Sequence, residues 1–364
     1  MKIEDSIGLY GDIKLPDQAV DTPAFVILMD EVQHNLEKTI KAIGGVQRLI
    51  PHVKTHRAPW LVNYQIQHGV SAFKAATPRE VEMVLDAGAP EVVWAYPTAT
   101  PANIGRVMDA AKQHPHAKVV GLIDSAAGLA EWKNQLSRSP LLNVRLRVDL
   151  DPGMGRTGAP MSDAALELAR SINEMERFDG WHLYDGHIKD PDRDIRIAKV
   201  AEIRDKVRGL VAAGLRETGC GDLIAGGSYS FELWPADEAA RVSPGSWIFS
   251  SWEHQADLPH LGWQVGAYVL SSVVSAHDGT VTLDAGSKAI SPDMPMPTRF
   301  VGGGVKIVAM KEEHSVVESH TLKVGDLVAL VPRHACTTAY LYDKALVRTQ
   351  SGEWQIRPQL GNER

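Results

Sequence analysis

Residues 71–88 read SAFKAATPREVEMVLDAG and set the pattern for most of the chain. A short apolar run at 71–75 is followed by a segment whose apolar residues recur at three- and four-residue spacing. Thr77 and Pro78 stand where a helix would begin, and Gly88 stands where it would end. The stretch therefore predicts one β-strand followed by one surface helix.

The same alternation extends from residue 22 to about residue 250 and predicts parallel βα units. Nine apolar runs qualify as strands, which is one more than an eight-stranded barrel needs. They are AFVIL (24–28), RLIPHVK (48–54), SAFKA (71–75), EVVWAY (91–96), KVVGLID (118–124), NVRLRVDL (143–150), GWHLYD (180–185), DLIAG (222–226) and SWIFS (246–250). After about residue 260, β-branched runs such as VGAYVLSSVVSA and DLVALVP lack helical periodicity. We therefore expect an α/β fold, with a (β/α)8 TIM-like barrel over 21–260 and a mostly antiparallel β domain over 261–364.

Composition limits the classes of partner. The chain has 364 residues, of which 44% are hydrophobic and 23% charged, and its net charge is −7. No Lys/Arg-rich stripe stands out, so we expect a small-molecule ligand and no nucleic acid. No apolar run reaches the ~18 residues that a membrane span needs, and the amino terminus does not resemble a signal peptide. With only two cysteines, Cys220 and Cys336, we expect a cytoplasmic protein without a disulfide framework.

Residues 153–158, GMGRTG, match the G-x-G-x-x-G pattern of dinucleotide-binding loops. The context is unfavourable, because the preceding strand ends in charged DLDP and belongs to the fifth or sixth βα unit instead of the first. A tight loop that needs positive backbone φ is the better interpretation of these glycines. A nicotinamide dehydrogenase would depend on this loop alone.

Several side chains with reactive groups lie at or just after the carboxyl ends of predicted strands, where barrel enzymes carry their chemistry. They are Lys54 in PHVKTHR (51–57), Lys74, Arg156, Tyr184, His187 and the loop AGGSYS (225–230). A partly desolvated lysine has a lowered pKa and can form an imine with a carbonyl, and a Gly-Gly-Ser loop late in a barrel can bind phosphate. Pyridoxal phosphate (PLP) combines both requirements. Taken singly, Lys54 could instead reach an acidic neighbour, and Tyr184 or His187 could be ordinary rim residues.

Motifs in the same order along nearly the whole chain resemble those of the D-serine dehydratase and D-threonine aldolase family. They are TPAFVILMDEVQHNL, PHVKTHR, VDLDPGMGRTG, YDGH, AGGSYSF, DAGSKAISPD, EEH and PRHACTT. The resemblance implies a PLP enzyme in which Lys54 forms the imine and Arg156 approaches the phenolic oxygen of the cofactor. It also implies that Tyr184 and His187 lie by the ring and substrate. The phosphate would be bound by Gly226, Gly227 and Ser228.

The resemblance further implies an alanine-racemase-like barrel with a β domain, in a homodimer. The strand at 24–28 and the amino terminus (residues 1–20) would then join the β domain, which leaves eight strands for the barrel. Two positions depart from the family. Arg57 stands where lysine is usual, and Ser315 stands where glycine is frequent. These departures do not affect the assignment of the imine to Lys54, but they weaken any inference about the exact substrate.

His334 and Cys336 are separated by one residue at the end of an apolar run. On a strand, this spacing would point both side chains to one face, where they could bind one metal ion. A buried, unreactive cysteine is the ordinary alternative. The resemblance implies a metal site, since the dehydratases of the family carry His and Cys where the aldolases typically carry His and Asp. Thiolate favours zinc, whereas carboxylate favours manganese or magnesium.

We therefore expect a PLP- and zinc-dependent dehydratase that converts a D-β-hydroxy amino acid, such as D-serine, into a 2-oxo acid and ammonia. The alternative is a metal-dependent aldolase that yields glycine and an aldehyde, with His187 as a candidate base. A racemase would have no use for a metal at the β-carbon. A non-catalytic PLP-carrying barrel would need neither the β domain nor the metal pair.

Overall fold

The computed structural model describes residue 16 and residues 19–364, which form two compact units. We call the first the barrel unit; it comprises Ile40–Lys54, Pro59–Gly245 and Arg364. The second, the β unit, comprises the described residues up to Thr39 together with Thr55–Ala58 and Ser246–Glu363. The expected contribution of residues 1–20 to the β domain lies almost entirely outside the described residues.

A sheet of parallel strands forms the centre of the barrel unit. After β1 (Ala24–Leu28), which belongs to the β unit, its strands follow in chain order. They are β2 (Ala72–Ala75), β3 (Glu91–Trp94), β4 (Lys118–Ile123), β5 (Val144–Leu150), β6 (Phe178–Leu183), β7 (Leu223–Ala225) and β8 (Arg241–Val242). The barrel interior is apolar, with Ile50, Val93, Val120, Leu122 and Ile224 in one buried cluster.

Residues 49–52 close this sheet between its edge strands. Leu49 pairs in parallel with Val242 of β8, and His52 pairs in parallel with Lys74 of β2. The predicted strand 48–54 is therefore reduced to two bridges. Pro51 explains the interruption in part, because it has no N–H to donate to a ladder. The predicted barrel architecture is confirmed, with this segment in the eighth position.

Helices follow the strands of the barrel unit as the βα pattern predicts. They are Pro59–Gln67, Pro78–Asp86, Pro101–Gln113, Ala126–Arg138, Asp163–Asn173 and Arg193–Thr218. The helix predicted after 71–75 begins as expected, since the Thr77 side chain accepts a hydrogen bond from the Glu80 N–H. An earlier helix, Met29–Ile43, starts in the β unit and ends in the barrel unit. No helix among the described residues is long and apolar enough to cross a bilayer.

The β unit is built on a mostly antiparallel sheet. Its further strands are β9 (Ala267–His277), β10 (Thr280–Leu283), β11 (Phe300–Val301), β12 (Lys306–Met310), β13 (Ser315–Glu318), β14 (Leu327–Pro332), β15 (Lys344–Arg348) and β16 (Trp354–Pro358). The order is β12-β13-β10-β9-β1-β15-β16, and β14 pairs with β9 and β11. Only the β1–β15 pairing is parallel among the described strands of this sheet. Short helices at Trp252–Asp257 and Ala335–Ala339 complete the unit.

One predicted strand is wrong. The run at 246–250 contains the 3-10 helix Ser246–Ile248, in the β unit, and the barrel strand before it is β8. Its residues Trp247, Ile248 and Phe249 are buried, and a short buried apolar run does not distinguish a strand from a turn of helix. The units also differ from the expected ranges 21–260 and 261–364, because β1 and the chain from Ser246 onward group with the β unit.

Candidate active site

A pocket of about 430 Å³ lies at the carboxyl ends of the barrel strands. It brings together four of the side chains that the sequence singled out, Lys54, Lys74, Arg156 and Tyr184. Three other polar side chains line the same pocket, and the sequence analysis gave them no role in it: His52, Asp149 and His182. All of them belong to the barrel unit. This is the place where a barrel enzyme carries its chemistry.

The ring of Tyr184 is surrounded by cations. Lys54 Nζ lies 5.7 Å from the ring centroid, Lys74 Nζ lies 5.2 Å from it, and the Arg156 guanidinium lies 5.0 Å from it. Each contact is a cation–π interaction, but the three positive charges repel one another. The pocket is therefore suited to a ligand that carries several negative charges.

A buried histidine–carboxylate pair lies beside these cations. His182 Nδ1 is 2.6 Å from Asp149 Oδ1, and both residues are less than 5% exposed. Burial is the main cause that lowers the pKa of His182 to about 4, and the positive charge of Lys74 is the second. The ring is therefore neutral at pH 7. Asp149 then holds the proton on Nδ1. His182 Nε2 is buried without a hydrogen-bond partner, which leaves an unused acceptor in a residue that lines the pocket.

His52 adds a second neutral imidazole to the lining. Its Nδ1 accepts a hydrogen bond from the Lys54 N–H at 3.3 Å, which fixes the turn that presents Lys54. Burial and the charge of Lys54 lower the pKa of His52 well below its usual value. His56 on the other side of Lys54 belongs to the β unit and accepts a hydrogen bond from the Ala58 N–H.

The loop at 153–158 is arranged for a tight turn. Gly153, Gly155 and Gly158 all have positive φ, as the interpretation of these glycines required. The N–H groups of residues 153–155 donate to the carboxylate of Asp151 at 2.7 to 3.2 Å. An internal carboxylate thus uses the donors that a dinucleotide phosphate would need, while the loop places Arg156 over Tyr184.

The proposed phosphate loop is held by a buried acid. Asp185 accepts hydrogen bonds from Gly227 N–H at 2.9 Å, Ser230 Oγ at 2.6 Å and Trp234 Nε1 at 3.0 Å. The Gly227 N–H is therefore already engaged. The absence of a side chain at Gly227 lets the loop approach Tyr184 closely, since a Cβ there would lie 3.0 Å from the Tyr184 ring. Gly226 has φ 80°, and a Cβ there would lie 2.8 Å from the Phe231 Cα.

His187 and the three residues of the proposed phosphate loop, Gly226, Gly227 and Ser228, are absent from the lining of this pocket, and His187 is exposed. The structure thus separates His187 from Lys54, Arg156 and Tyr184, although the four were grouped from the sequence. His182 offers the imidazole that the pocket does contain. Its signal in the sequence was the spacing in WHLYD, because residues two apart in a strand share a face, and His182 and Tyr184, at the end of β6 and just after it, both line the pocket.

The predicted metal ligands His334 and Cys336 lie in the β unit, on a different element from the one expected. The strand β14 ends at Pro332, His334 precedes the helix Ala335–Ala339, and Cys336 is inside that helix. The two side chains nevertheless lie close enough to interact, and His334 Nδ1 also contacts Asp293. Burial alone would lower the pKa of His334, but the interactions with Cys336 and Asp293 outweigh it and raise the pKa to about 9.

The donor set fits a metal with open coordination positions. Asp293 holds His334 Nδ1, which leaves Nε2 for a metal, and the sulfur of Cys336 lies 3.3 Å from Thr55 Oγ1 and 3.7 Å from Ser246 Oγ. Among the described residues, no three His, Cys, Asp or Glu side chains form a metal-binding group. A pair of protein ligands suits a catalytic metal better than a structural one.

Comparison with known proteins places the two parts of the chain in the expected family. Residues 27–251 match the family model "Alanine racemase, N-terminal domain", and residues 266–348 match the model "Putative serine dehydratase domain". The 3-hydroxy-D-aspartate aldolase of Paracoccus denitrificans (strain Pd 1222) is 26% identical over 353 residues, which cover 90% of this chain and 89% of that protein. The D-threo-3-hydroxyaspartate dehydratase of Delftia sp. (strain HT23) is 23% identical, with 88% and 92% covered.

A solved structure agrees with these matches. The crystal structure of D-threonine aldolase from Filomicrobium marinum has a TM-score of 0.84 and 25% sequence identity, and the match covers 93% of this chain and 95% of that one. These relatives are lyases, and their family depends on PLP. The chain therefore belongs to the alanine-racemase-like family of PLP enzymes that includes the D-serine dehydratases and D-threonine aldolases.

Proposed function

We propose that this protein is a PLP-dependent dehydratase of D-β-hydroxy amino acids, such as D-serine or a D-3-hydroxy amino acid. D-serine would give pyruvate and ammonia, with the water lost in elimination returned in hydrolysis of the enamine product. The pocket around Tyr184 supports the PLP assignment. Its unused acceptor on His182, its amines and the close approach of Gly227 suit an anionic aromatic ligand.

We assign a separate role in binding or proton transfer to each of several residues in and near the pocket. When bound, PLP supplies an electron sink for the carbon that loses a proton. Lys54 Nζ would hold the cofactor and would be the base that accepts the α proton of the substrate. Arg156 would hold the phenolic oxygen and Tyr184 the ring. The loop at 226–228 would receive the phosphate, with Asp185 keeping its backbone in place.

The choice of dehydration depends on one observation, the presence of Cys336 beside His334. A histidine and a thiolate together favour zinc, which as a Lewis acid makes hydroxide a better leaving group. We propose that His334 Nε2 and Cys336 Sγ hold this zinc. Manganese or magnesium would be the alternatives if the thiolate were not a ligand.

Retro-aldol cleavage is the second candidate, because the aldolases of Paracoccus denitrificans and Filomicrobium marinum resemble this chain over about nine-tenths of its length. It would need a base for the β-hydroxyl. His187, the candidate from the sequence, is exposed and outside the pocket lining, which weakens this alternative.

Product identity distinguishes the two reactions. The purified protein, loaded with PLP and zinc, would be incubated with D-serine and with D-threonine, and the products identified by mass spectrometry. We expect pyruvate and ammonia from D-serine and 2-oxobutanoate from D-threonine. Glycine and acetaldehyde from D-threonine, without 2-oxo acid from either substrate, would overturn the dehydratase proposal in favour of the aldolase. Oligomeric state, which we propose to be a homodimer, would be measured on the same sample by light scattering.

A further inference from the structure

Lys74 is a buried amine to which the proposed function assigns no role. It lies in β2, its side chain is 3% exposed, and it lines the same pocket as Lys54. The amine donates one hydrogen bond, to Ser243 Oγ at 3.0 Å. A lysine ammonium has three donors, so this contact leaves room for further partners.

The acids near Lys74 are engaged elsewhere. Asp149 contacts His182 and Thr157, and Asp185 accepts from the 226–234 loop. No carboxylate among the described residues lies within ion-pair distance, 4.0 Å, of Lys74. Buried lysines are almost always paired, because an uncompensated charge is costly in a protein interior. The structure therefore points to an anion that arrives with a ligand.

The position of Lys74 favours the substrate as the source of that anion. Lys74 Nζ and Lys54 Nζ lie 5.2 and 5.7 Å from the same Tyr184 ring centroid. An amino acid whose nitrogen replaces Lys54 on the cofactor carries its α-carboxylate two bonds from that nitrogen. A β-carboxylate, where the substrate has one, lies one carbon farther.

We propose that Lys74 binds a carboxylate group of the amino acid substrate. This inference rests on the proposed function, since it requires an amino acid at the Lys54 end of the pocket. Burial, followed by the charge of Lys54, lowers the pKa of Lys74 to about 7, so a carboxylate bound beside it would restore the charged amine. The pocket would thus gain an ion pair only when substrate is present.

Binding titrations of the PLP-loaded enzyme test the proposal without turnover. The absorbance of bound PLP would be followed during addition of D-alanine, D-alaninamide or D-aspartate, none of which carries a β-hydroxyl. Lys74→Gln is compared with wild type and with Lys112→Gln, which removes an exposed amine from the helix Pro101–Gln113. Lys74→Met repeats the test should the glutamine variant lose its bound PLP.

We expect wild type to prefer one of the carboxylate ligands by about tenfold or more, and Lys74→Gln to lose that preference. Loss of the preference for D-alanine over D-alaninamide assigns the α-carboxylate. Loss of the preference for D-aspartate over D-alanine assigns the β-carboxylate. The ratio of the affinities for two ligands is compared between wild type and Lys74→Gln. Differences in amine basicity between the two ligands affect both proteins equally and therefore cancel.

Two results would overturn the proposal. Either both preferences survive in Lys74→Gln and Lys74→Met, or both variants lose affinity for PLP itself by more than about tenfold, which would assign Lys74 to the cofactor. Failure of the proposed function looks different. In that case neither D-serine nor D-threonine gives a 2-oxo acid, while the titrations with unreactive ligands still report on Lys74.

Discussion

At the scale of single residues, the sequence predicted several of the side chains that meet in the pocket, but not the other residues that line it. Lys54, Arg156 and Tyr184 meet in one pocket because strand ends converge in a barrel. Asp149 and His182 were not predicted, since each is an ordinary residue inside an apolar strand until β5 and β6 pair and bring them to 2.6 Å. His187 was selected from its position after a predicted strand and from the YDGH motif, and it is exposed.

His334 and Cys336, the predicted metal ligands, also show that the sequence did not predict the surroundings of a side chain. The strand that was expected to align His334 and Cys336 ends before either residue, yet a turn into the helix Ala335–Ala339 still brings the two side chains together. A spacing of two residues is compatible with both arrangements, so the sequence alone could not distinguish them. Asp293 is 41 residues away in the chain, and the sequence did not predict that it contacts His334.

Substitution of Cys336 tests the metal assignment at this scale. In Cys336→Asp we expect zinc affinity to fall by at least about tenfold and manganese to become an effective replacement, because a carboxylate is a harder ligand than a thiolate. Metal content after equilibrium dialysis and activity with each metal would be measured. Cys220→Ser serves as the control. Unchanged zinc content in Cys336→Asp would remove this residue from the site.

At the scale of elements, long periodic βα units were predictable and short irregular ones were not. The helix Pro78–Asp86 and its cap at Thr77 follow from the sequence directly. The strand β8 has two residues, too few for any periodicity, and Pro51 breaks the ladder at the closing segment. The closing segment was predicted as a strand over 48–54 but forms only two isolated bridges, and β8 was not predicted.

A partly buried ion-pair network joins four successive strand regions of the barrel. Arg147 in β5 is 1% exposed and lies 2.8 Å from Asp179 in β6 and 2.6 Å from Asp222, which precedes β7. Lys118 in β4 lies 2.6 Å from Asp179 as well. Burial opposes the charge of Asp179, but Arg147 and Lys118 outweigh it and lower its pKa below the usual value.

Removal of the Asp179 charge should therefore destabilise the barrel unit. In Asp179→Asn we expect the free energy of unfolding to fall by about 3 kcal/mol at pH 7, since Arg147 keeps one partner fewer in a buried place. Because the pKa of Asp179 is lower in the folded state, its contribution is present above the unfolded value of about 4 and is lost below it. The difference between variant and wild type should shrink as pH falls through that range.

Urea denaturation at a series of pH values would measure this difference. Asp205→Asn is the matched control, because Asp205 is an exposed carboxylate in the helix Arg193–Thr218 of the same unit. We expect that control to change stability by less than about 0.5 kcal/mol. A difference for Asp179→Asn that stays constant down to pH 3 would contradict the electrostatic explanation.

At the scale of the whole molecule, the loss of helical periodicity after about residue 260 was enough to predict a barrel and a β domain. It did not predict where the chain moves between units. The β unit takes β1, the four residues Thr55–Ala58 and everything from Ser246 to Glu363. These assignments depend on pairings such as β1 with β9 and β15, which join segments more than two hundred residues apart. Only the resemblance to a family indicated that β1 belongs there.

Reduction of the PLP-loaded enzyme with borohydride, followed by tryptic digestion and mass spectrometry, tests most directly whether Lys54 binds the cofactor. The peptide 49–57 contains Lys54, whereas a modified Lys74 would be found in the peptide 58–79. We predict the pyridoxyl group on Lys54 in peptide 49–57, and its loss from that peptide in Lys54→Ala. A pyridoxyl group on Lys74 or another lysine in the wild-type protein, or on none, would contradict the assignment of Lys54.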